Sequence, residues 1–142
     1  MTETRQPVVH NFATRVYYED TDAAGIVYYA NYLRFAERAR SEMLRVQGVE
    51  SRRLMETDGV ALAVRRCAVD YRLPAKLDDL LEVQSRLVDV KGAKVAARQD
   101  VWRGEEHLVG IDITLACIDG DGRPRRIPGP LRQILNDLLG SA

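Results

Sequence analysis

The sequence lacks a net charge, because 21 lysines and arginines are balanced by 21 aspartates and glutamates. A balanced chain has no overall field that attracts nucleic acid or an acidic membrane. We therefore expect no nucleic-acid partner, and any anionic ligand must be held by local groups. No apolar run reaches the roughly 20 residues of a transmembrane helix, and the start lacks the apolar stretch of a signal peptide. These absences predict a cytoplasmic protein without a transmembrane segment.

Cysteine and histidine are also scarce, with two residues of each. Cys67 and Cys117 lie far apart in strand-like apolar patterns, so we expect two reduced, buried thiols rather than a disulfide or a redox pair. His10 lies in an N-terminal tail and His107 follows a Glu-Glu turn, and we expect both at the surface. Because neither histidine has a cluster of ligands around it, the sequence predicts no metal site and no cofactor.

A chain of 142 residues has room for one hydrophobic core, so we expect a single domain over residues 1–142. Apolar residues recur at three- and four-residue steps between residues 30 and 47, which predicts a long helix with one buried face. A short helix is predicted over residues 51–57, and another after Pro130. The stripe of the long helix consists of Tyr32, Phe35, Ala36, Ala39, Met43 and Val46.

Apolar and polar residues alternate in most of the remaining chain, which predicts strands. The predicted strands cover residues 11–18, 62–73, 80–90, 95–102, 109–117 and, as a short addition, 125–127. The alternation changes phase at Arg65 and Arg66, which predicts a β-bulge. A long helix followed by consecutive strands with short turns indicates an α+β fold with a mostly antiparallel sheet. A second copy of the sheet edge would extend this layer, so we expect a dimer.

The chemistry is expected in residues 17–29, where turn-forming residues separate the first strand from the long helix. Two interpretations of its acids are open. Asp20 and Asp22 can form a turn or cap the helix, because a carboxylate accepts hydrogen bonds from free backbone N–H groups. Alternatively, a carboxylate acts as nucleophile or general base beside helix N–H groups that stabilise an oxyanion. Gly25 would then let the backbone approach the substrate closely.

The same segment carries a resemblance to a known protein family. The run Y-x-E-D-T-D-A-A-G-I-V-Y-Y-A-N-Y-L, followed by F-A-E-R-A-R-S-E-M-L, resembles the hotdog-fold thioesterases of the 4-hydroxybenzoyl-CoA thioesterase class. The likeness continues through G-V-A-L-A-V and D-Y-R-L-P-A-K-L-D-D, and it is strongest to the acyl-CoA thioesterases associated with the Tol–Pal system (the YbgC type). It implies a long central helix wrapped by an antiparallel sheet of five or six strands, and hydrolysis of acyl-CoA to free acid and CoA.

The resemblance also implies an assembly and residue roles. It implies a homotetramer built from dimers, with the cleft between subunits, and a peripheral link to envelope or phospholipid-synthesis proteins. Asp22 matches the family's catalytic carboxylate, Asp20 supports the loop, and Tyr29 contributes the backbone N–H that holds the thioester carbonyl. Many relatives of the Tol–Pal type have histidine at the position of Tyr29, so the mechanism here must work without an imidazole. Lys91 and Lys94 match a basic turn that contacts CoA.

Several alternatives stay open. The two lysines, and a second basic cluster at residues 123–126, also fit solvated turn charges. The acyl pocket is expected between the long helix and a facing strand, although its candidates also fit plain core: Tyr28, Tyr32, Phe35, Ala61, Ala63 and Val64. A thioesterase acting on acyl carrier protein needs the same site. A non-catalytic module that binds acyl-CoA or acyl carrier protein in a membrane-linked assembly is the alternative from another class, and Asp22 argues against it.

Overall fold

The computed structural model describes residues 6–140. Its elements follow the order β1 (His10–Arg15), α1 (Asn31–Arg45), α2 (Ser51–Asp58), β2 (Val60–Tyr71), β3 (Leu80–Lys91), β4 (Lys94–Arg103), β5 (Glu106–Asp119) and α3 (Gly129–Leu139). A 3-10 turn, Tyr18–Asp20, follows β1. The strands form one antiparallel sheet in the order β1-β3-β4-β5-β2, so β1 and β2 are its edges. No helix in residues 6–140 is long and apolar enough to cross a membrane.

Helix α1 packs on one face of the sheet, which we call the inner face. The predicted apolar stripe is confirmed, except that Val46 is 66% exposed because the helix ends one residue earlier. The two alanines of the stripe are fully buried, and their small side chains let the helix axis approach the sheet. The sheet supplies every second residue of β3, β4 and β5 to this core: Leu81, Val83, Leu87, Val95, Ala97, Val101, Ile111, Ile113, Leu115 and Cys117.

The pairing of β2 with β5 assigns the faces of the edge strand. Val64 pairs with Leu115, which is buried under α1, so Val64 lies on the inner face. Ala63 pairs with Ala116, and because neighbouring residues of a strand point to opposite faces, Ala63 lies on the outer face. The register shifts between Val64 and Arg66. This shift confirms the bulge that the change of phase predicted.

Helix α1 leaves part of β2 uncovered. On the inner face, Val64 is 53% and Tyr71 is 45% exposed. Cys67 lies between them and is also exposed, so the prediction that both thiols are buried is wrong for Cys67. Cys117 lies on the interior strand β5 and is buried as predicted. The inner face therefore keeps an open strip with apolar side chains beside the outer backbone edge of β2, which has no strand partner among the described residues.

Two boundaries differ from the sequence predictions. The first strand ends at Arg15 and not at residue 18, because the chain enters the 3-10 turn at Tyr18. The short strand predicted over residues 125–127 does not form, and an isolated bridge between Ile118 and Pro124 stands near it. The described part of the chain thus has five strands, and a sixth is not present there. The predicted short helices are confirmed as α2 and α3.

The sheet has two ends with different contents. Arg15 pairs with Leu80 at one end, which also receives residues 16–30 and 72–79; we call it the loop end. The opposite end contains the β3–β4 turn at residues 91–94 and residues 120–128; we call it the basic end. Strand β3 has 12 residues, and at about 3.3 Å per residue it separates the two ends by roughly 36 Å.

Candidate active site

Residues 21–27 form a small hairpin at the loop end, and this hairpin carries Asp22. The Asp22 N–H donates to the Ile26 carbonyl oxygen at 2.9 Å, and the Gly25 N–H donates to the Asp22 carbonyl oxygen at 3.0 Å. Gly25 has a φ of +79°, a region that side chains with a Cβ disfavour. A Cβ placed there would meet nothing within 4 Å. The turn itself therefore requires glycine, and the close approach to the substrate stays a prediction.

The carboxylates of both candidate acids form local turns. Asp22 Oδ1 accepts a hydrogen bond from the Ala24 N–H at 2.8 Å, while its Oδ2 accepts none from residues 6–140. Asp20 Oδ2 accepts from the Tyr17 N–H at 2.8 Å. The N-cap position of α1 is Ala30, which has no capping side chain. The turn-forming interpretation is thus confirmed for both acids, whereas the helix-capping one is wrong. Asp22 is exposed and keeps one oxygen available.

The main chain of Asp20 ties the hairpin to the helix. Its carbonyl oxygen accepts from the Tyr28 N–H at 2.9 Å and from Asn31 Nδ2 at 2.9 Å. Asn31 is the first residue of α1, so the hairpin and the helix share one acceptor. This shared acceptor fixes the position of Asp22 relative to the start of α1, which is the supporting role expected of Asp20.

Only some of the backbone N–H groups from the hairpin to the start of α1 donate a hydrogen bond. Those of Gly25, Val27 and Tyr28 donate to carbonyl oxygens of neighbouring loops. Those of Ile26, Tyr29 and Ala30 donate to no described residue. Tyr29 and Ala30 lie in the turn that leads directly into α1, where the helix dipole favours a bound negative charge. The family resemblance assigns the oxyanion donor to the position of Tyr29, so its N–H is our candidate.

A cavity of about 350 Å³ opens beside this turn, and its walls are mainly apolar and aromatic. The Tyr71 ring lies 6.2 Å from the Tyr29 ring and 5.8 Å from the Tyr32 ring, measured between centroids. The Tyr71 hydroxyl donates to the Tyr29 carbonyl oxygen at 3.0 Å. Burial raises the pKa of Tyr71, so its hydroxyl keeps the proton that it donates. The lining residues are Ile26, Val27, Tyr29, Tyr32, Tyr71, Arg72, Leu73 and Pro74.

An ion pair braces the loop on the far side of this cavity. The Ala75 carbonyl oxygen accepts from the Val27 N–H at 2.9 Å, which joins residues 72–79 to the hairpin. Asp79 Oδ2 accepts from Arg103 Nη1 and from the Lys76 N–H, each at 2.8 Å. Burial alone would raise the pKa of Asp79, but these hydrogen bonds and the guanidinium charge hold it below its usual value. The cavity wall is thus anchored to β4.

The residues in this arrangement match a known family. Residues 16–135 match the model of the Thioesterase-like superfamily. The chain belongs to this superfamily. It is 41% identical over 129 residues to the acyl-CoA thioesterase YbgC of Haemophilus influenzae, covering 90% of this chain and 95% of that protein. It is also 41% identical over 116 residues to the acyl-CoA thioester hydrolase YbgC of Escherichia coli, covering 80% of this chain and 86% of that protein.

Solved structures agree with this family. The crystal structure of a probable thioesterase from Bartonella henselae has a TM-score of 0.82 to this chain at 38% identity, covering 85% of this chain and 100% of that one. The predicted hotdog fold of the thioesterase superfamily is therefore confirmed, with α1 lying on a five-stranded antiparallel sheet. The enzyme class that the resemblance predicted is confirmed at the level of the family.

The basic residues expected to bind CoA in this thioesterase lie far from Asp22. Lys91 and Lys94 flank the β3–β4 turn at the basic end, where Lys91 Nζ lies 3.8 Å from Asp89 Oδ2. The second basic cluster lies at the same end, since the Ile127 N–H donates to the Gly92 carbonyl oxygen. One chain does not bring these cations to its own Asp22. The basic end combines Lys91, Lys94, Arg123, Arg125 and Arg126.

The predicted acyl-pocket residues separate in the structure. Tyr32 lines the aromatic cavity, and its hydroxyl accepts from the Ala75 N–H at 3.0 Å. Ala63 does not line the cavity, because it lies on the outer face, as does Ala61. Val64 lines a different cavity near the middle of α1. The remaining two candidates do not line the cavity either: Phe35 is core and Tyr28 is 46% exposed.

Both histidines are placed differently from the predictions. His10 begins β1 and does not lie in a tail. His107 is mostly buried: its Nε2 lies 2.8 Å from Asp100 Oδ1, and Arg72 Nη1 lies 3.2 Å from its Nδ1. Since a guanidinium only donates, the His107 Nδ1 accepts and its Nε2 donates. Both ring nitrogens are thus engaged in structural contacts. Residues 6–140 contain no cluster of three side chains suited to a metal.

Proposed function

We propose that this thioesterase hydrolyses acyl-CoA to the free acid and CoA. One observation carries the proposal: exposed Asp22, whose Oδ2 accepts from no described residue, is tied through Asp20 to a turn beside an aromatic cavity. In this turn the Tyr29 N–H donates to none of the described residues. The YbgC relatives, named as acyl-CoA thioesterases, support this substrate class. A carboxylate and an oxyanion donor are the two groups that acyl transfer to water requires.

In the proposed mechanism, the acyl group enters the aromatic cavity and the thioester carbonyl oxygen accepts from the Tyr29 N–H. Asp22 takes a proton from a water molecule, whose oxygen attacks the carbonyl carbon. The tetrahedral intermediate then collapses, the C–S bond breaks with its electron pair on sulfur, and the proton passes to the thiolate of CoA. If Asp22 attacks directly instead, the C–S bond breaks and the thiolate of CoA leaves as an acyl anhydride forms on Asp22. Water then hydrolyses the anhydride to the free acid and the Asp22 carboxylate, and the released proton passes to the thiolate. Neither path uses an imidazole.

The proposal includes a second subunit, because the basic end lies roughly 36 Å from the loop end of the same chain. If the β2 strands of two copies pair antiparallel about a two-fold axis, the basic end of one copy lies beside the loop end of the other. Lys91 and Lys94 of one copy then face the phosphates of a CoA bound at the Asp22 of its neighbour. The cavity accommodates the acyl group and the second subunit supplies the cations.

The remaining expectations are part of the same proposal. We take residues 1–142 as one domain that assembles into a homotetramer of two dimers in the cytoplasm. The free thiols of Cys67 and Cys117 suit a reducing compartment. The resemblance to the Tol–Pal-associated type motivates a peripheral link to envelope or phospholipid-synthesis proteins.

Substitution of Asp22 tests the proposed reaction. Asp22→Asn keeps the size of an exposed side chain and an oxygen for the Ala24 N–H, so the hairpin is expected to survive. We expect kcat to fall by about 10²- to 10⁴-fold across a panel of acyl-CoA thioesters, benzoyl types included. Glu19→Gln, an exposed acid of the adjacent 3-10 turn, is the matched control and keeps wild-type turnover. A folded Asp22→Asn protein with unchanged turnover contradicts the mechanism, and a wild type inactive on every thioester favours a binding module.

A further inference from the structure

The main chain of Ala75 joins two parts of the loop end. Its N–H donates to the Tyr32 hydroxyl oxygen at 3.0 Å, and its carbonyl oxygen accepts from the Val27 N–H at 2.9 Å. Ala75 is fully buried, and only 3% of Val27 and of Tyr32 is exposed. Because solvent hardly reaches these groups, water does not readily replace either hydrogen bond when it is lost. A side chain of α1 therefore holds the loop at residues 72–79, and this loop in turn holds the hairpin.

A single peptide group connects Ala75 to Asp22. The Ile26 carbonyl oxygen and the Val27 N–H belong to the same planar trans peptide, and they point in opposite directions. That oxygen accepts from the Asp22 N–H at 2.9 Å, and that N–H donates to the Ala75 carbonyl oxygen at 2.9 Å. Because the peptide group is rigid, a displacement of Ala75 also displaces the backbone of Asp22.

The position of the Tyr32 hydroxyl is fixed by the packing of its ring. The ring lies 6.2 Å from the Phe35 ring and 5.8 Å from the Tyr71 ring, measured between centroids. Burial raises the pKa of Tyr32, so its hydroxyl stays protonated and accepts as a neutral group. No other described residue accepts from the Ala75 N–H. Helix α1 therefore fixes Ala75 through this hydroxyl.

We propose that Tyr32 is a positioning residue for the hydrolysis: through Ala75 and the peptide between residues 26 and 27, its hydroxyl fixes Asp22 relative to the Tyr29 N–H. The inference rests on the proposed function, in which these two groups act on one thioester. Reacting atoms must come within about 3–3.5 Å of each other, and a misplacement of about 1 Å costs up to about 100-fold in rate. The Tyr32 ring lines the acyl cavity, and this contribution does not depend on the hydroxyl.

Tyr32→Phe tests the role of the hydroxyl. The variant keeps the ring in the cavity and leaves the buried Ala75 N–H without an acceptor. We expect kcat to fall by about 10-fold or more with KM near the wild-type value, because the chemical step is impaired while the acyl contacts remain. The matched control is Ser85→Ala, which removes another buried hydroxyl, the one that accepts from Gln99 Nε2 at 2.9 Å. Ser85 lies in the middle of β3, so this variant should keep the wild-type kcat.

A double-mutant cycle tests whether Tyr32 acts through Asp22. Once Asp22→Asn has removed the carboxylate, its position no longer affects the rate, so Tyr32→Phe should lower the residual kcat by less than about 2-fold. Amide hydrogen exchange gives a readout that does not require turnover: the Ala75 and Val27 N–H groups should exchange faster in Tyr32→Phe and stay protected in Ser85→Ala. Should Tyr32→Phe fail to fold by circular dichroism, 4-fluorophenylalanine in place of Tyr32 fills the space of the hydroxyl but accepts only weakly, and the same loss of kcat is expected.

Three results would overturn this role: a folded Tyr32→Phe protein with wild-type kcat, an equal loss of kcat in Ser85→Ala, or a loss of the same size with and without the Asp22 carboxylate. Failure of the proposed function gives a different result, because the wild type itself then cleaves no thioester and the role of Tyr32 falls with the reaction. An active wild type with an unaffected Tyr32→Phe variant refutes the positioning role alone.

Discussion

The loop end and the basic end of the sheet are organised in contrasting ways. At the loop end, hydrogen bonds and an ion pair connect the hairpin, α1, residues 72–79 and β4. At the basic end, the lysines of the β3–β4 turn have few partners: Lys91 is 3.8 Å from Asp89 and its side chain is 81% exposed. The loop end is tied together at its candidate site, whereas the β3–β4 turn of the basic end carries exposed cations that we propose bind a ligand. The comparison separates groups that form the site from groups that we propose meet the substrate of a neighbour.

The largest effect is expected from loosening the loop end. Arg103→Met leaves the partly buried Asp79 without its ion pair, and the free energy of unfolding should fall by about 1–3 kcal/mol. We also expect kcat to drop more than 10-fold, because the loop that holds the hairpin loses its anchor. Arg98→Met is the matched control, since the Arg98 side chain has the same 26% exposure and also pairs with acids. In urea unfolding, Arg98→Met should lower the free energy of unfolding by a similar amount, but its kcat should stay at the wild-type value. If both variants had the same kcat, the Arg103–Asp79 ion pair would not be what positions the hairpin.

The basic end should respond in KM rather than in stability. Replacement of Lys91 and Lys94 by alanine removes two exposed cations, so we expect KM for acyl-CoA to rise about 10-fold, or ~1.4 kcal/mol, with kcat nearly unchanged. Arg86→Ala, an exposed cation in the middle of β3, is the control with wild-type KM. Steady-state kinetics with substrates truncated to acyl-pantetheine should abolish the difference. A KM increase that persists without the nucleotide would contradict phosphate binding.

A smaller effect is expected from Tyr71→Phe, which sharpens the contrast within the loop end. The change removes the hydroxyl that donates to the Tyr29 carbonyl oxygen but keeps the ring in the cavity wall. We expect a loss of about 0.5–1.5 kcal/mol in stability and a kcat reduced several-fold with KM unchanged. Tyr17→Phe, at an exposed residue outside the cavity, serves as control. Unaltered kcat in Tyr71→Phe would show that the turn holds its geometry without this bond.

The smallest expected effect is a dependence of the unfolding free energy on pH, to which one carboxylate at each end contributes. Asp79 has a pKa below its usual 3.8, so its stabilising contribution is present above pH 3.8 and disappears as pH falls through its folded-state pKa. Hydrogen bonds from the Arg123 N–H, the Asp121 N–H and the Arg125 guanidinium lower the pKa of Asp119 at the basic end in the same way.

Salt should weaken the two ion pairs unequally, because the Arg125 side chain that pairs with Asp119 is 60% exposed, whereas the Arg103 side chain that pairs with Asp79 is 26% exposed. Exposed charges are screened more strongly. Between pH 5 and pH 2, Asp79→Asn and Asp119→Asn should each flatten the decline of the unfolding free energy. In 1 M NaCl the effect of Asp119→Asn should shrink more than that of Asp79→Asn, while the part that comes from the backbone hydrogen bonds to Asp119 should persist. Equal salt sensitivity would remove this difference between the ends.

The sequence predicted elements whose pattern repeats over many residues. The stripe of α1 and the bulge of β2 follow from periodicity and from its change of phase, so both could be located. Periodicity does not reveal whether a helix packs over a given strand residue. Cys67 occupies an apolar position of the alternating pattern, yet it is exposed because no helix covers it. Alternation along a strand also argues against placing both Ala63 and Val64 in one acyl pocket. The two residues are neighbours in β2, so their side chains face opposite sides of the sheet.

The parts of the site that the sequence did not predict depend on distant contacts. Tyr71 reaches Tyr29 across 42 positions, and Arg103 reaches Asp79 across 24. Nothing in the local pattern around Tyr71 distinguishes it from any strand-end aromatic residue. Asp22 was found because a family motif surrounds it, although its catalytic role remains a prediction. The free N–H of Tyr29 became visible only when the hydrogen bonds of its neighbours were known.

The hydrogen bonding of the hairpin at residues 21–27 determines which of its positions tolerate substitution. The hydrogen bonds that hold Asp22 come from main-chain atoms, and the exposed side chains of Ala23 and Ala24 carry none of them. A saturation library at these two alanines should therefore retain many active members, whereas replacements of Gly25 should be depleted despite the open space around it. The hairpin thus offers adjustable positions next to the proposed reacting carboxylate, where substrate preference can be altered without rebuilding the fold.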